Sequence, residues 1–316
     1  MAGPLQSQTK ALPLPPIQPR NLRPPQQSPF ESSDSQALGG QCYRQPVGLQ
    51  ARSAEISRAM SRLLSGGPIG RGTAAILHSV VWAQRHALGK YDSAEMGLLD
   101  DLDLLNRVAI DVGAHAGNWT VNLARRVGPA GLVLAYEALP HYARSLSMTM
   151  RLMRVTNVKM RPVAVGEREQ TISLRWRSNG NELLTGKTHL EPASAPSSDV
   201  IEVQMVSLDR DLKLLGIRPR DVGFVKIDVE GAELMVLKGA SNLLSAGRPV
   251  VYLEAEPVWL KRVGHSVNDL FGTMQSHGYL PHLVAESGVL STNAAEYLSQ
   301  YATEPGLNNV LFLPRS

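Results

Sequence analysis

Val108-Ala-Ile-Asp-Val-Gly-Ala-His-Ala-Gly-Asn-Trp119 is the stretch whose reading decides the fold. Its first five residues form a short apolar run that stops at a glycine-rich turn, as a buried strand does. Residues 119–127 continue as a helix, ended by Gly128-Pro129. A strand that feeds a helix through such a turn is the repeating unit of a doubly wound α/β sheet. Glycine in the turn lets the backbone approach a ligand closely, and the start of the following helix offers unpaired N–H groups. Asp111, at the end of the strand, can receive a cationic or hydroxyl-bearing group.

The same rhythm runs outward from this turn. Strands are expected at 131–136, 158–165, 223–229, 249–254, 279–284 and 309–313, with helices at 140–154, 232–244 and 267–277. Central strands without polar alternation imply burial on both faces. Residues 171–177 and 201–206 read as strands around a polar excursion at 178–200, which suggests an antiparallel insertion or a loop over the site. Residues 107–316 are therefore expected to form the α/β domain. Upstream, Ile56, Met60, Leu63 and Leu64 recur on one helical face, so 51–106 reads as a helical segment packed on that domain. Residues 1–50 hold nine prolines and nine glutamines and read as a disordered tail.

Composition excludes several function classes. The chain has 316 residues and a formal charge of +4, too small an excess for a dedicated nucleic-acid binder. Its single cysteine, Cys42, rules out an intramolecular disulfide framework and a cysteine-cluster zinc site, and a reducing, cytoplasmic setting fits best. No run approaches the ~20 apolar residues of a membrane span.

Three acidic signals point to chemistry. Gly113 and Gly117 are spaced G-x-x-x-G, unlike the G-x-G-x-x-G of a dinucleotide pyrophosphate site. A cofactor without phosphates, such as S-adenosylmethionine, suits Asp111 at this turn better than NAD does; a tight turn with nothing bound is the plain alternative. Glu137 closes the strand 132–136 and lies 20 residues past Gly117, where a carboxylate can accept both ribose hydroxyls of an adenosine. The run Phe224-Val-Lys-Ile-Asp228-Val-Glu230-Gly231-Ala-Glu233 brings Asp228 and Glu230 to the carboxyl edge of the sheet, where open α/β folds bind ligands. Strand alternation would point those two carboxylates the same way if it persists that far. Asp228 could instead cap the helix beginning near Ala232. Glu233 reads as a solvated first-turn acid.

The set D-V-G-A-H-A-G, Y-E-A, K-I-D-V-E-G-A-E, V-V-Y-L-E and N-V-L-F-L resembles the FkbM family of S-adenosylmethionine-dependent methyltransferases over roughly 108–313. The resemblance implies a Rossmann-like class I methyltransferase, with a doubly wound, mostly parallel seven-stranded sheet and an antiparallel terminal strand. It implies that Asp111, Gly113, His115 and Gly117 line the methionine end of the cofactor and that Glu137 holds the ribose. Ala164 and Val165 would flank the adenine, and Asp228, Glu230 and Glu254 would face the methyl group and the acceptor. The expected acceptor is a hydroxyl on a small molecule or carbohydrate, with Asp228 and Glu230 as catalytic groups. His115 reads better as a turn-stabilising residue than as a base. Asp228 and Glu230 with Glu254 or Glu256 permit Mg²⁺, though such acids are equally expected around a cofactor amine and an acceptor base, and no metal ligands are assigned. A nucleotide-using Rossmann oxidoreductase and an inactive binding protein on the same fold are the competing readings.

Overall fold

The computed structural model describes residues 79–83, 94–175, 189–190, 200–285, 288–303 and 308–315. The expected tail at 1–50, the helical face at 56–64 and most of the 178–200 excursion lie outside the described residues.

The main sheet begins with β1 (Val108–Val112), β2 (Leu132–Tyr136) and β3 (Val158–Arg161). It continues with β8 (Val222–Ile227), β9 (Val250–Glu254), β10 (Tyr279–Ala285), β11 (Gly288–Ser291) and β12 (Asn309–Pro314). A smaller four-stranded sheet holds β4 (Ala164–Val165), β5 (Gln170–Arg175), β6 (His189–Leu190) and β7 (Val200–Val206). The order in the main sheet is β11-β10-β12-β9-β8-β1-β2-β3. The pairs from β9 to β3 are parallel, whereas β12 runs antiparallel to both β9 and β10, and β11 antiparallel to β10. The antiparallel terminal strand is thus present, and an eighth strand beyond the expected seven extends the sheet through a β10–β11 hairpin.

The expected single strand at 158–165 is two strands in two sheets. Pro162 stands between them and has no N–H to donate to a ladder, so the chain leaves β2 there. It re-pairs at β4 with β7, while β5 and β7 form the expected antiparallel insertion. The expected helix at 232–244 also divides, into a helix at Glu233–Lys238 and a π-helical turn at Leu243–Gly247.

Helices cover both faces of the main sheet: α1 (Asn118–Val127), α2 (Pro140–Leu152), α3 (Leu208–Leu214), α4 (Glu233–Lys238), α5 (Pro257–Arg262), α6 (Val267–Ser276) and α7 (Ala294–Thr303). On one face Ile110, Val112, Val225, Ile227, Val251 and Leu253 pack with Val236, Leu237, Leu270 and Phe271. On the other, Ala109, Val133, Phe224 and Tyr252 pack with Trp119, Leu123 and Val127 of α1. Trp119 stacks on Phe224 at 5.8 Å. With both faces covered, the carboxyl ends of the parallel strands are where polar side chains can converge on a ligand.

Candidate functional site

β1 and β8 are adjacent, with Asp111 opposite Lys226, so both polar groups sit among buried apolar neighbours at one level of the sheet. Asp111 is fully buried; its Oδ2 accepts a hydrogen bond from Thr120 Oγ1 at 2.5 Å, and its Oδ1 lies 3.7 Å from Lys226 Nζ. Burial raises the Asp111 pKa, and the nearby lysine offsets only part of that effect. Lys226 is 5% exposed, donates to Gly113 O at 3.2 Å and pairs with Asp228 Oδ2 at 3.1 Å. Burial disfavours its ammonium, yet Asp228 and Asp111 more than compensate and hold it above its ordinary pKa.

The first turn is fixed by contact. Gly113 has φ +79° and sits against the end of β8, where a Cβ would come 1.9 Å from the Asp228 carbonyl oxygen. Gly117, at φ +88°, starts α1 and faces Leu146 of α2, whose Cδ1 would lie 2.4 Å from a Cβ. Any side chain at either place would push the turn out of position.

At the end of β2, Glu137 is buried and accepts backbone N–H groups on both oxygens, from His115 at 2.9 Å and Leu139 at 2.8 Å. It therefore ties the glycine turn to the start of α2. Burial pushes its pKa up to about 7 despite those two bonds. The His115 ring, on a residue with φ +44°, rests on Tyr142 at 4.3 Å, and burial lowers its pKa to about 4.

Asp228 and Glu230 meet in a way that strand alternation does not explain. β8 ends at Ile227, and Glu230 lies in the left-handed region at φ +54°. The turn, not the pleat, brings their carboxylates together with that of Glu254, with ligand-capable oxygens of all three within 4.8 Å of one another. Asp228 does not cap α4; its carboxylate is engaged by Lys226, and the N-cap is Ala232 without a side-chain bond. Glu254 Oε1 accepts from Asn308 Nδ2 at 2.7 Å, while Oε2 is buried without a hydrogen-bond partner among the described residues. Burial, reinforced by Asp228 and Glu230, pushes the Glu254 pKa up to about 9.

Glu233 corrects the solvated-acid expectation. It is 1% exposed, and its Oε1 accepts from Val229 N at 3.0 Å and Gly231 N at 3.2 Å. The side chain folds back under the 228–231 turn instead of facing water, and burial raises its pKa to about 7. It braces the turn that presents Asp228 and Glu230.

One cavity of about 390 Å³ joins these parts. Asp111, Gly113, His115, Glu137, Ala164, Val165, Asp228, Glu230 and Glu254 all line it. Gly117 does not, and acts behind the wall through its fit against Leu146. The smaller sheet contributes an apolar side with Ile172, Leu174 and Met205, joined by Val163 just before β4. Sequence reasoning left Lys226 without a role; a lysine inside an otherwise apolar, doubly covered strand was the available signal, because such a charge needs a buried partner.

Residues 111–281 match the model of the methyltransferase FkbM domain. A curated relative, Methyltransferase 1 of Beauveria bassiana (strain ARSEF 2860), is 27% identical over 146 residues, covering 42% of this chain and 58% of that protein. Among solved structures, the FkbM methyltransferase of Methylobacillus flagellatus KT is 14% identical with a TM-score of 0.39, covering 84% of this chain and 60% of that one. An O-methyltransferase from Bacillus cereus, solved in complex with SAH, is 12% identical with a TM-score of 0.39, covering 83% and 97%. The chain thus spans less than two thirds of the length of the first two.

Proposed function

The chain belongs to the FkbM family of methyltransferases, and from that premise we propose that it methylates a hydroxyl group of a small molecule or carbohydrate, using S-adenosylmethionine. One observation carries this reading: the glycine turn, the ribose-type acid Glu137 and the Asp228–Glu230–Glu254 group line a single cavity. Such a cavity is of ordinary size for a small-ligand site.

The residues present fit that cofactor. Each Glu137 oxygen accepts one backbone N–H and keeps lone-pair capacity for a ribose hydroxyl. Ala164, Val165 and the apolar residues of the smaller sheet offer a dry surface for an adenine ring. Asp111 and the Gly113 turn would take the methionine end. When bound, the cofactor supplies an electrophilic methyl group on a sulfonium.

This chain's task is then to hold an acceptor oxygen in line with that methyl and to receive its proton. Alignment alone supplies a large part of such a rate. Asp228 is the proton acceptor we assign: its carboxylate is half-exposed at the cavity and pairs with the Lys226 ammonium at 3.1 Å. Asp228 would take the proton that the acceptor hydroxyl loses as it is methylated. Glu254, whose raised pKa favours the protonated acid, can donate a hydrogen bond to the acceptor, and Glu230 can accept one from a neighbouring hydroxyl.

Titration calorimetry with S-adenosylhomocysteine and, in parallel, NAD tests the cofactor. Binding of the first in the micromolar range and none of the second is expected; the reverse pattern would transfer the chain to nucleotide-dependent redox chemistry. A screen of hydroxylated acceptors for methyl transfer then identifies the substrate.

A further inference from the structure

We propose that residues 79–83, which precede the matched domain, clasp the cofactor site, with Trp82 as the residue that retains the bound cofactor. The inference rests on the cofactor reading above.

The segment 79–83 is a short helical stretch seated on one face of α2. Its anchor is polar and buried. Ser79 is fully buried, its Oγ donates to Ser145 O at 3.0 Å and lies 3.3 Å from Ser145 Oγ, and its carbonyl accepts from Thr149 Oγ1 at 3.5 Å. Tyr142, Ser145 and Thr149 are spaced i, i+3, i+7, so they form one stripe of α2, and all three are buried. Hydroxyls buried in a stripe fix register as well as contact, because any slip leaves them unpaired away from water.

One turn further, the same segment reaches the site. The Trp82 ring meets the His115 ring edge-on with centroids 6.3 Å apart, and His115 in turn rests on Tyr142. Edge-to-face contact at this separation is an attractive aromatic geometry. His115 and Tyr142 both line the cavity, and the His115 N–H is bonded to Glu137. Trp82 therefore backs the wall formed by the glycine turn and the ribose-type acid. α2 is the shared support, since it carries the anchoring stripe and also abuts Gly117 through Leu146. A cofactor leaving past the His115 turn must displace a wall that Trp82 holds from outside. The family's matched residues begin at 111, so this contact belongs to the chain's own upstream segment.

The test uses the full chain and radiolabelled S-adenosylhomocysteine, chased with excess unlabelled compound in a rapid-filtration assay. Trp82→Ala should release the label about three- to tenfold faster than the parent, and Trp82→Phe should stay within about twofold. Ser79→Ala, which leaves the ring intact but loosens its anchor, should accelerate release by a smaller factor. Melting temperatures accompany each variant. Release unchanged in Trp82→Ala, with or without a lower melting temperature, would overturn the clasp and leave Trp82 a packing residue. If the Ala variant does not fold, the Ser79 variant decides alone: release at the parent rate would likewise overturn the proposal. No binding of S-adenosylhomocysteine by the parent would instead remove the cofactor reading, and the clasp with it.

Discussion

The carboxyl ends of β1 and β2 and those of β8 and β9 lie side by side in one sheet, yet they treat acidic groups in opposite ways. At β1 and β2, Asp111 is held by Thr120, and Glu137 accepts one backbone N–H on each oxygen. Those carboxyls are part of the framework, fixed before any ligand arrives. At β8 and β9, Asp228, Glu230 and Glu254 crowd within 4.8 Å, Asp228 pairs with Lys226, and one Glu254 oxygen has no hydrogen-bond partner among the described residues. Rigid geometry suits the recognition of a cofactor that is the same at every turnover. Crowded acids at the open edge of a cavity suit proton transfer. Lys226 links the halves by bonding both Gly113 O and Asp228.

The largest expected effect tests the reactive half. Asp228→Asn keeps the shape and removes the proton acceptor, so turnover should fall by about 10²-fold or more while S-adenosylhomocysteine affinity changes only a few fold. Full activity in a variant with a normal melt would take Asp228 out of the chemistry. Equal loss of affinity and turnover would break the distinction between the two halves.

Next in size is the framework half. Glu137→Ala should weaken S-adenosylhomocysteine by about ten- to a hundredfold, because a ribose diol loses its charged acceptor. The variant should also melt lower, since the N–H groups of His115 and Leu139 lose their partner. Glu137→Gln retains one acceptor oxygen and should recover part of the stability but little of the affinity. Calorimetry in which Glu137→Ala binds like the parent would remove this residue from the site.

The two halves also differed in how far they could be read from sequence. Asp111, Gly113, His115 and Gly117 are neighbours in the chain, and a strand followed by a glycine turn fixes their relation locally. Glu137 followed from its place at the end of a strand. Glu254 needed more: its orphaned oxygen and its bond to Asn308 depend on β9 lying beside both β8 and β12. Glu233 was misread because a first-turn acid usually faces water; here the turn at 228–231 closes over it. Pro162 was the visible signal for the break between β3 and β4, and it lost to the apolar look of 158–165. The hairpin strand β11 and the helices α5 and α7 carry weak patterns of their own and owe their place to packing against the sheet.

The smallest effect, on stability, isolates Glu254. A carboxyl whose folded pKa is raised binds its proton more tightly in the folded state, so stability falls as pH rises from the unfolded value to the folded one. Glu137 and Glu233 act this way from about 4.5 to about 7, and Glu254 from about 4.5 to about 9. His115, lowered to about 4, has the opposite sign and adds stability as pH rises from about 4 to 6.5. These contributions overlap below neutrality, whereas the Glu254 contribution extends the loss from pH 7 to about 9. The ligand-free protein should therefore lose about 1–2 kcal/mol over that window, allowing for the partial exposure of the group, which is a few degrees of melting temperature. Glu254→Gln mimics the protonated acid and keeps an oxygen for Asn308 Nδ2. It should match the parent at pH 7 within about 1 kcal/mol and melt higher than the parent at pH 9. Parallel melting curves for the two proteins across pH 7–9 would show that Glu254 is ionised throughout, and the reactive half would then have to hold three negative charges against one lysine.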